Sequence, residues 1–479
     1  MQSYLFPNCR HRLLLLLTRR PHWQATSRLT ASCLVLMLLI SGCSLSQPSR
    51  PVAPVSLPAT FSDSGSSPLP THWWLTFTDP ILDTLINQAL TDNLSLQSAR
   101  DRLLQAEALA RQSGAALYPS LDATAEVSTS RVHVDGNSST INNKSLGLMA
   151  GYEIDLWGRL RSSRDAAALD AKASAEDLQT AAISLSADVA VTWYQLVEQS
   201  GQLALLNEQT TTNEKVLDLV TLQFRTGQVG IADVLQQRQL IETNRGEKAQ
   251  ISARLKVLEH QLAVLLGQAP NQIQVPQQTV LAELPPLPQT GLPADLLQQR
   301  PDLRSAYDAL LAADQRIAVA VADRFPQLSL SASLETSGEH TRNLFNDWLT
   351  NLSANLLGPI FDAGQRRAEV DRTRAVAAER LHDYGQAILI ALTEVEDALV
   401  QERRQREYLA SLSRQLELAS QVTRSLRDRY LKGAVDYQRV LDALLSQQQL
   451  QRDVLTGRRE LLENRITLCR ALGGGWPLI

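Results

Sequence analysis

Two apolar rhythms alternate along this chain. Steps of three and four run through Ile388, Leu392, Val395 and Leu399, through Leu409, Leu412, Leu416 and Ala419, and through Ile251, Leu255, Leu258, Leu262 and Leu265. That is the spacing of helices packed as coiled coils. After Tyr118-Pro119 the period falls to two: Leu146, Leu148, Ala150, Tyr152, Ile154 and Leu156 alternate with smaller or polar residues up to Gly158. The same alternation returns at Leu328, Leu330, Ala332 and Leu334 and at Leu352, Ala354, Leu356, Gly358 and Ile360. Each region predicts a β-hairpin, with a polar loop "VDGNSSTINN" in the first and "SGEHTRNLFND" in the second. Strands of about 9 to 11 residues are expected, enough to cross a bilayer when tilted.

The remainder predicts helix. No proline interrupts the stretch from Arg159 to Phe224, which at 1.5 Å per residue makes a helix of roughly 100 Å. Such a helix needs partners. A segment of about 23 residues before the strands and one of about 37 after the following turn together match its length, so one long helix pairs with two stacked shorter ones.

The pattern occurs twice. Leu96, Ala99, Leu103, Pro119 and Leu121 recur 207 positions later as Leu303, Ala306, Leu310, Pro326 and Leu328. Beyond the strands the shift is 206: Gly158 with Gly364, Gly227 with Gly433, Leu235 with Leu441. "FRTGQVGIADVL" (Phe224–Leu235) and "YLKGAVDYQRVL" (Tyr430–Leu441) are thus the same turn in two units. A register held this long marks an internal repeat. The expected division is a first unit over 71–267, with strands about 119–157, and a second over 294–472, with strands about 326–361. The Pro-rich 268–293 joins them, and 473–479 is a short C-terminal tail.

The N-terminus adds export. Arg19, Arg20 and Arg28 precede a short apolar run, "CLVLMLLI", which is too short to span a bilayer. Ile40-Ser41-Gly42-Cys43 resembles the lipobox of bacterial lipoproteins, which implies a signal peptide over 1–42 and an acylated Cys43. Ser44, not an aspartate, favours outer-membrane sorting in that resemblance. The Pro- and Ser-rich 43–70 reads as a flexible tether from the lipid anchor. Trp73, Trp74 and Phe77 then suggest a docked start to the ordered chain. Downstream of Cys43 only Cys469 is left, so no disulfide forms within the mature chain.

Four strands cannot close a barrel, yet a four-stranded sheet in lipid would leave its edges without hydrogen-bond partners. Three copies supply twelve strands, a number that closes around a water-filled lumen, whereas two supply eight and an interior filled by side chains. The expectation is a homotrimer. Its fold class is a mixed α and β membrane protein, a long α-helical coiled-coil barrel continued by a 12-stranded transmembrane β-barrel with four strands per chain.

Several motifs then carry a family resemblance. Tyr118-Pro119, "DLWGR" (155–159), "RPDLRSA" (300–306), "RFPQLSL" (324–330), "GPIFDAGQRRAEV" (358–370), the paired turns and the ending "ALGGGW" (471–476) resemble, in order and spacing, the outer-membrane efflux factors of the TolC and OprM type, in their lipid-anchored NodT-like branch. The resemblance covers nearly the whole mature chain. It implies a passive exit duct in the outer membrane of a Gram-negative bacterium, with its helical tube in the periplasm. The duct exports small molecules, drugs or other toxic compounds, handed over by an inner-membrane pump of the RND type through a periplasmic adaptor. The turns at Gly227 and Gly433 become the periplasmic tips where the adaptor docks. Asp442 matches an aspartate whose ring narrows the periplasmic mouth; Asp233 is its first-unit candidate, and Tyr430 and Arg429 are candidates to bridge neighbouring coils at the closed end. Two other readings stay open: the channel of a protein secretion system, and a non-conducting coiled-coil lipoprotein.

Charge and chemistry exclude more than they add. With Lys+Arg 46 against Asp+Glu 50 the net charge is -4, which offers nucleic acid no basic surface. The seven histidines are scattered, and there is no HExxH, Walker loop or nucleophile elbow. No enzyme, cofactor or metal site is expected.

Overall fold

The structure, a computed structural model, describes residues 54–68, 70–270, 272, 276 and 278–474. The signal segment, Cys43 and Trp476 lie outside them.

Helix α1 (Pro80–Asp92) starts where the Asp79 carboxylate accepts the Ile81 and Leu82 N–H groups, with proline at its first position. Asn93 ends it and caps α2 (Leu94–Ala115) through the Leu96 N–H. Strands β1 (Ser120–Val134) and β2 (Asn137–Ile154) follow, then α3 (Arg159–Arg225) and α4 (Ile231–Leu265). The second unit opens with the short α5 (Leu296–Gln299) and continues as α6 (Pro301–Ala322), β3 (Gln327–Gly338), β4 (Trp348–Leu357), α7 (Gln365–Leu431) and α8 (Tyr437–Ala471).

The repeat holds to the residue. α3 and α7 are both 67 residues long, α4 and α8 both 35, α2 and α6 both 22. In each unit the long helix carries both shorter ones, α2 and α4 on α3, α6 and α8 on α7. The units join because α6 and α8 also pack against α3. No helix among the described residues is long and apolar enough to cross a membrane.

All four strands form one antiparallel sheet in the order β1-β2-β3-β4. The second hairpin has its expected loop, with a 3-10 turn at Thr341–Asn343. The first differs. Most of "VDGNSSTINN" is strand, and the reversal is the pair Asp135-Gly136 at φ 49° and 83°, the left-handed backbone of the Asp-Gly hairpin turns that match strand twist. β1 and β2 therefore reach 15 and 18 residues, past the span of a membrane, while β3 and β4 have 12 and 10.

The main core lies beside α1. Trp73, Trp74 and Phe77 are each 1% exposed and pack with Leu82, Ile86, Trp193 and Tyr194, and Trp193 donates its indole N–H to the Asp79 carboxylate at 2.9 Å. A second core gathers Leu303, Leu310, Ile388 and Val395. The inter-unit linker is tied down at its described end: Ser67 bridges in parallel to Pro288, and Arg465 donates to the Pro285 and Pro286 carbonyls. Cys469 is a buried free thiol.

Candidate functional site

The two helix reversals lie at the same end of the units, opposite the strands. Each ends its long helix in the same way. Gly227 N–H donates to Phe224 O and Gln228 N–H to Gln223 O; in the second unit Gly433 N–H donates to Tyr430 O and Ala434 N–H to Arg429 O. This paired closure needs a left-handed residue just beyond the helix. Gly227 and Gly433 supply it at φ 73° and 71°.

The returning helices start differently. In the second unit Asp436 is the cap, accepting the Arg439 N–H at 3.1 Å. Its counterpart is Gly230, which has no side chain, and Asp233 reaches back instead to accept the Gly230 N–H at 3.1 Å. Asp233 is thereby placed as a helix-start ligand, and its counterpart in the second unit is Arg439. Asp442 is exposed and accepts from Gln438 Nε2 at 2.9 Å. Together with Arg429 and Arg439 it lines an open groove between α7 and α8. Asp442 and Arg429 therefore share one surface, and Asp233 lies on the other unit.

Tyr430 stands where the units meet. Its hydroxyl donates to Gln223 Oε1 at 2.5 Å, while its ring lies 5.8 Å from that of Tyr437. Tyr437 donates in turn to Gln237 Oε1 at 2.5 Å, and Gln237 Nε2 donates to Asn213 O at 2.7 Å. Burial, and then the nearby Asp233 carboxylate, push the Tyr430 phenol upward; burial does the same for Tyr437. Both stay protonated donors at neutral pH. Val220, Val234, Leu240 and Leu441 fill the space around them.

Gln223, Gln237 and Tyr437 were not singled out by the sequence. The available signal was Tyr437, an aromatic at the first position of a helix that turns inward with Leu441 four residues on. Glutamines at those positions read as surface. Further along the same seam, buried Gln448 and Asn213 bond each other at 3.1 Å, and Gln202 Nε2 donates to the Glu198 carboxylate and the Arg452 carbonyl. The seam between units thus carries buried polar contacts beside an apolar cluster.

A family model described as "Outer membrane efflux protein" matches residues 85–268 and 292–474. The pyoverdine export outer membrane protein OpmQ of Pseudomonas aeruginosa is 33% identical over 414 residues, which cover 85% of this chain and 87% of that one. The cation efflux system protein CusC of Escherichia coli O6:H1 is 32% identical over 468 residues, covering 92% and 97%. Among solved structures, the outer-membrane channel OprN superposes with a TM-score of 0.84 at 27% identity, over 91% of this chain and all of that one.

Proposed function

The chain belongs to the outer membrane efflux protein family, and from that premise we propose that it works as a homotrimeric exit duct. Its own geometry supports this through one observation above the rest: a four-stranded antiparallel sheet with unpaired edges at β1 and β4, mounted on helical hairpins about 100 Å long. In lipid those edges require strands from other copies. Three chains close twelve strands around water, and six helical hairpins continue the wall into the periplasm.

The duct is passive in this reading. Transport energy comes from an inner-membrane pump of the RND type, handed on by a periplasmic adaptor that docks at the Gly227 and Gly433 tips. Acylated Cys43 ties each chain to the outer membrane. Asp442, three times around the axis at the mouth, narrows the resting pore and favours cations, with Arg429 beside it in the same groove. Tyr430 holds the second unit on the first, and Asp233 shapes the start of α4. The cargo is a small molecule. Similar chains are named for pyoverdine export and for cation efflux.

Single-channel recording of the purified protein in planar bilayers, with its mass measured in the same detergent, tests the proposal. Small cation-selective currents from a trimer support it. A non-conducting monomer in a detergent that preserves such assemblies refutes it.

A further inference from the structure

The four-stranded sheet sorts its charges by face. Antiparallel partners share a face and successive residues change it, so the register puts Leu121, Ala125, Leu146, Leu148, Leu334 and Leu352 on one side. The other side is rich in serine, with Ser145, Ser329, Ser331, Ser333 and Ser353. In an outer-membrane chain the apolar side meets lipid and the serine side the lumen.

The acidic strand residues, Asp122, Glu126, Glu153 and Glu335, all lie on the lumen side. A Cβ added at Gly147 would meet the Thr124 hydroxyl and the Glu335 side chain together, as one shared face requires. The basic strand residues, Arg131, His133 and Lys144, all lie on the lipid side. Asp135, Glu339 and Asp347 belong to the turns and not to this face.

The three basic residues also stand outward of the apolar band. Counted from the Ala125 and Leu146 pair toward the Asp135-Gly136 turn, the Lys144 row is two residues out, the Arg131 row six and the His133 row eight. At about 3.3 Å per residue and a tilt of about 40°, these rows rise roughly 5, 15 and 20 Å along the membrane normal. The headgroup layer of a phospholipid leaflet is only about 5–8 Å deep. Lys144 is within that layer, and Arg131 and His133 are above it.

Nothing in the chain neutralises them. Lys144 Nζ donates to Thr341 Oγ1 at 2.8 Å and forms no ion pair among the described residues. Arg131 and His133 are exposed, and among the described residues neither forms a hydrogen bond or an ion pair. At the periplasmic end of the sheet, by contrast, Arg159 is paired with Glu153, Arg161 with Asp155 and Arg366 with Asp362.

We propose that Lys144, Arg131 and His133 form a binding face for the phosphorylated glycolipid of the outer leaflet, lipopolysaccharide. Lys144 takes a phosphate next to the acyl chains, which lie on Leu146 and Leu148. Arg131 and His133 take phosphates carried farther out on the sugars, where a guanidinium can donate to two phosphate oxygens at once. The sign of the charge selects an anionic ligand and the height selects its length, because a phospholipid headgroup reaches Lys144 alone. Carboxylates on this face would repel the same phosphates, and the strands carry theirs only toward the lumen. The site depends on the outer-membrane placement of the chain and holds whatever passes through the duct.

Glycolipid binding by the purified full chain, stripped of lipid in detergent and titrated with rough-form lipopolysaccharide bearing a phosphorylated inner core, tests this by native mass spectrometry. Arg131→Glu with Lys144→Glu should weaken binding about tenfold or more. Arg131→Lys with Lys144→Arg should bind as the parent does, and so should Ser130→Glu, which charges the lumen side of the same ribbon. Arg131→Glu alone should weaken the core-bearing lipid while leaving lipid A without core unaffected. If the double reversal misfolds, Arg131→Ala with Lys144→Ala removes the charges without adding any and should show the same loss. Equal binding by parent and charge-removed variant, a loss matched by Ser130→Glu, or undiminished binding of the dephosphorylated glycolipid overturns the site. Phosphatidylglycerol bound as tightly as the core-bearing glycolipid would overturn the choice of ligand.

Discussion

Arg465 holds Glu402 through two hydrogen bonds, Nε to Oε2 at 2.8 Å and Nη2 to Oε1 at 2.6 Å, with both side chains buried. The same guanidinium donates to the Pro285 and Pro286 carbonyls. One residue of α8 therefore fixes α7 and the inter-unit linker at once.

Replacing Arg465 by methionine leaves Glu402 buried with only the half-exposed Arg406 as a cation, and should cost about 3–5 kcal/mol. Adding Glu402→Leu should recover much of that loss. Thermal unfolding of the detergent-solubilised protein measures both, and a single variant as stable as the parent would contradict the assignment.

Gly433→Ala tests the tip. A Cβ there would meet nothing within 4 Å, so the whole loss comes from forcing alanine to φ 71°, about 1–2 kcal/mol. Gly433→Asn should lose less. Hydrogen exchange of the turn amides should quicken in the alanine variant, and unchanged protection would show that the left-handed residue is dispensable.

Asp442→Ala should widen the resting mouth and weaken its preference for cations. Single-channel conductance should rise, and cells relying on this duct should become more sensitive to large antibiotics. Conductance and selectivity equal to those of the parent would remove Asp442 from the gate.

Burial pushes the Cys469 thiol up to about 12, with Arg465 pulling it down and Glu402 pushing it up. The folded value lies above the unfolded one, near 8.5, so the contribution of the protonated thiol is complete below about pH 8.5 and is lost as pH rises through about 12. At pH 8 a small maleimide should label Cys469 only after denaturation. Mass spectrometry of native protein labelled at the rate of a free thiol would refute this.

The helical half was legible from Arg159 onward because both signals were strong: a long stretch without proline, and a glycine at each reversal. The repeat added a check that single sequences seldom offer, since each boundary could be compared with its counterpart. The first hairpin was harder. From Ser128 to Asn143 the residues are mostly polar, with Val132, Val134 and Ile141 the large apolar exceptions, so the alternation that marks a strand in lipid weakens, and Asp135-Gly136 was left to signal the turn. Polar residues buried between helices were harder still. Gln237, Asn213 and Gln448 satisfy one another, and satisfaction by a distant partner leaves no trace in local spacing. Asp233 carried two meanings at one position: a first-turn carboxylate fits a ring at the mouth and equally a cap for Gly230.

The unequal hairpins have a consequence at the cell surface. β3 pairs with β2 only as far as Lys144 and Gly338, so the Asp135-Gly136 turn stands on a two-stranded ribbon rising about 20 Å above the common sheet at 3.3 Å per residue. With the helical tips in the periplasm, that ribbon points outward. Three such ribbons around the opening would give the duct a crown of hydrophilic prongs separated by low saddles. Antibodies and phages would meet the prongs before the lumen, and a peptide epitope grafted at Gly136 would be displayed to the medium without touching a residue in lipid.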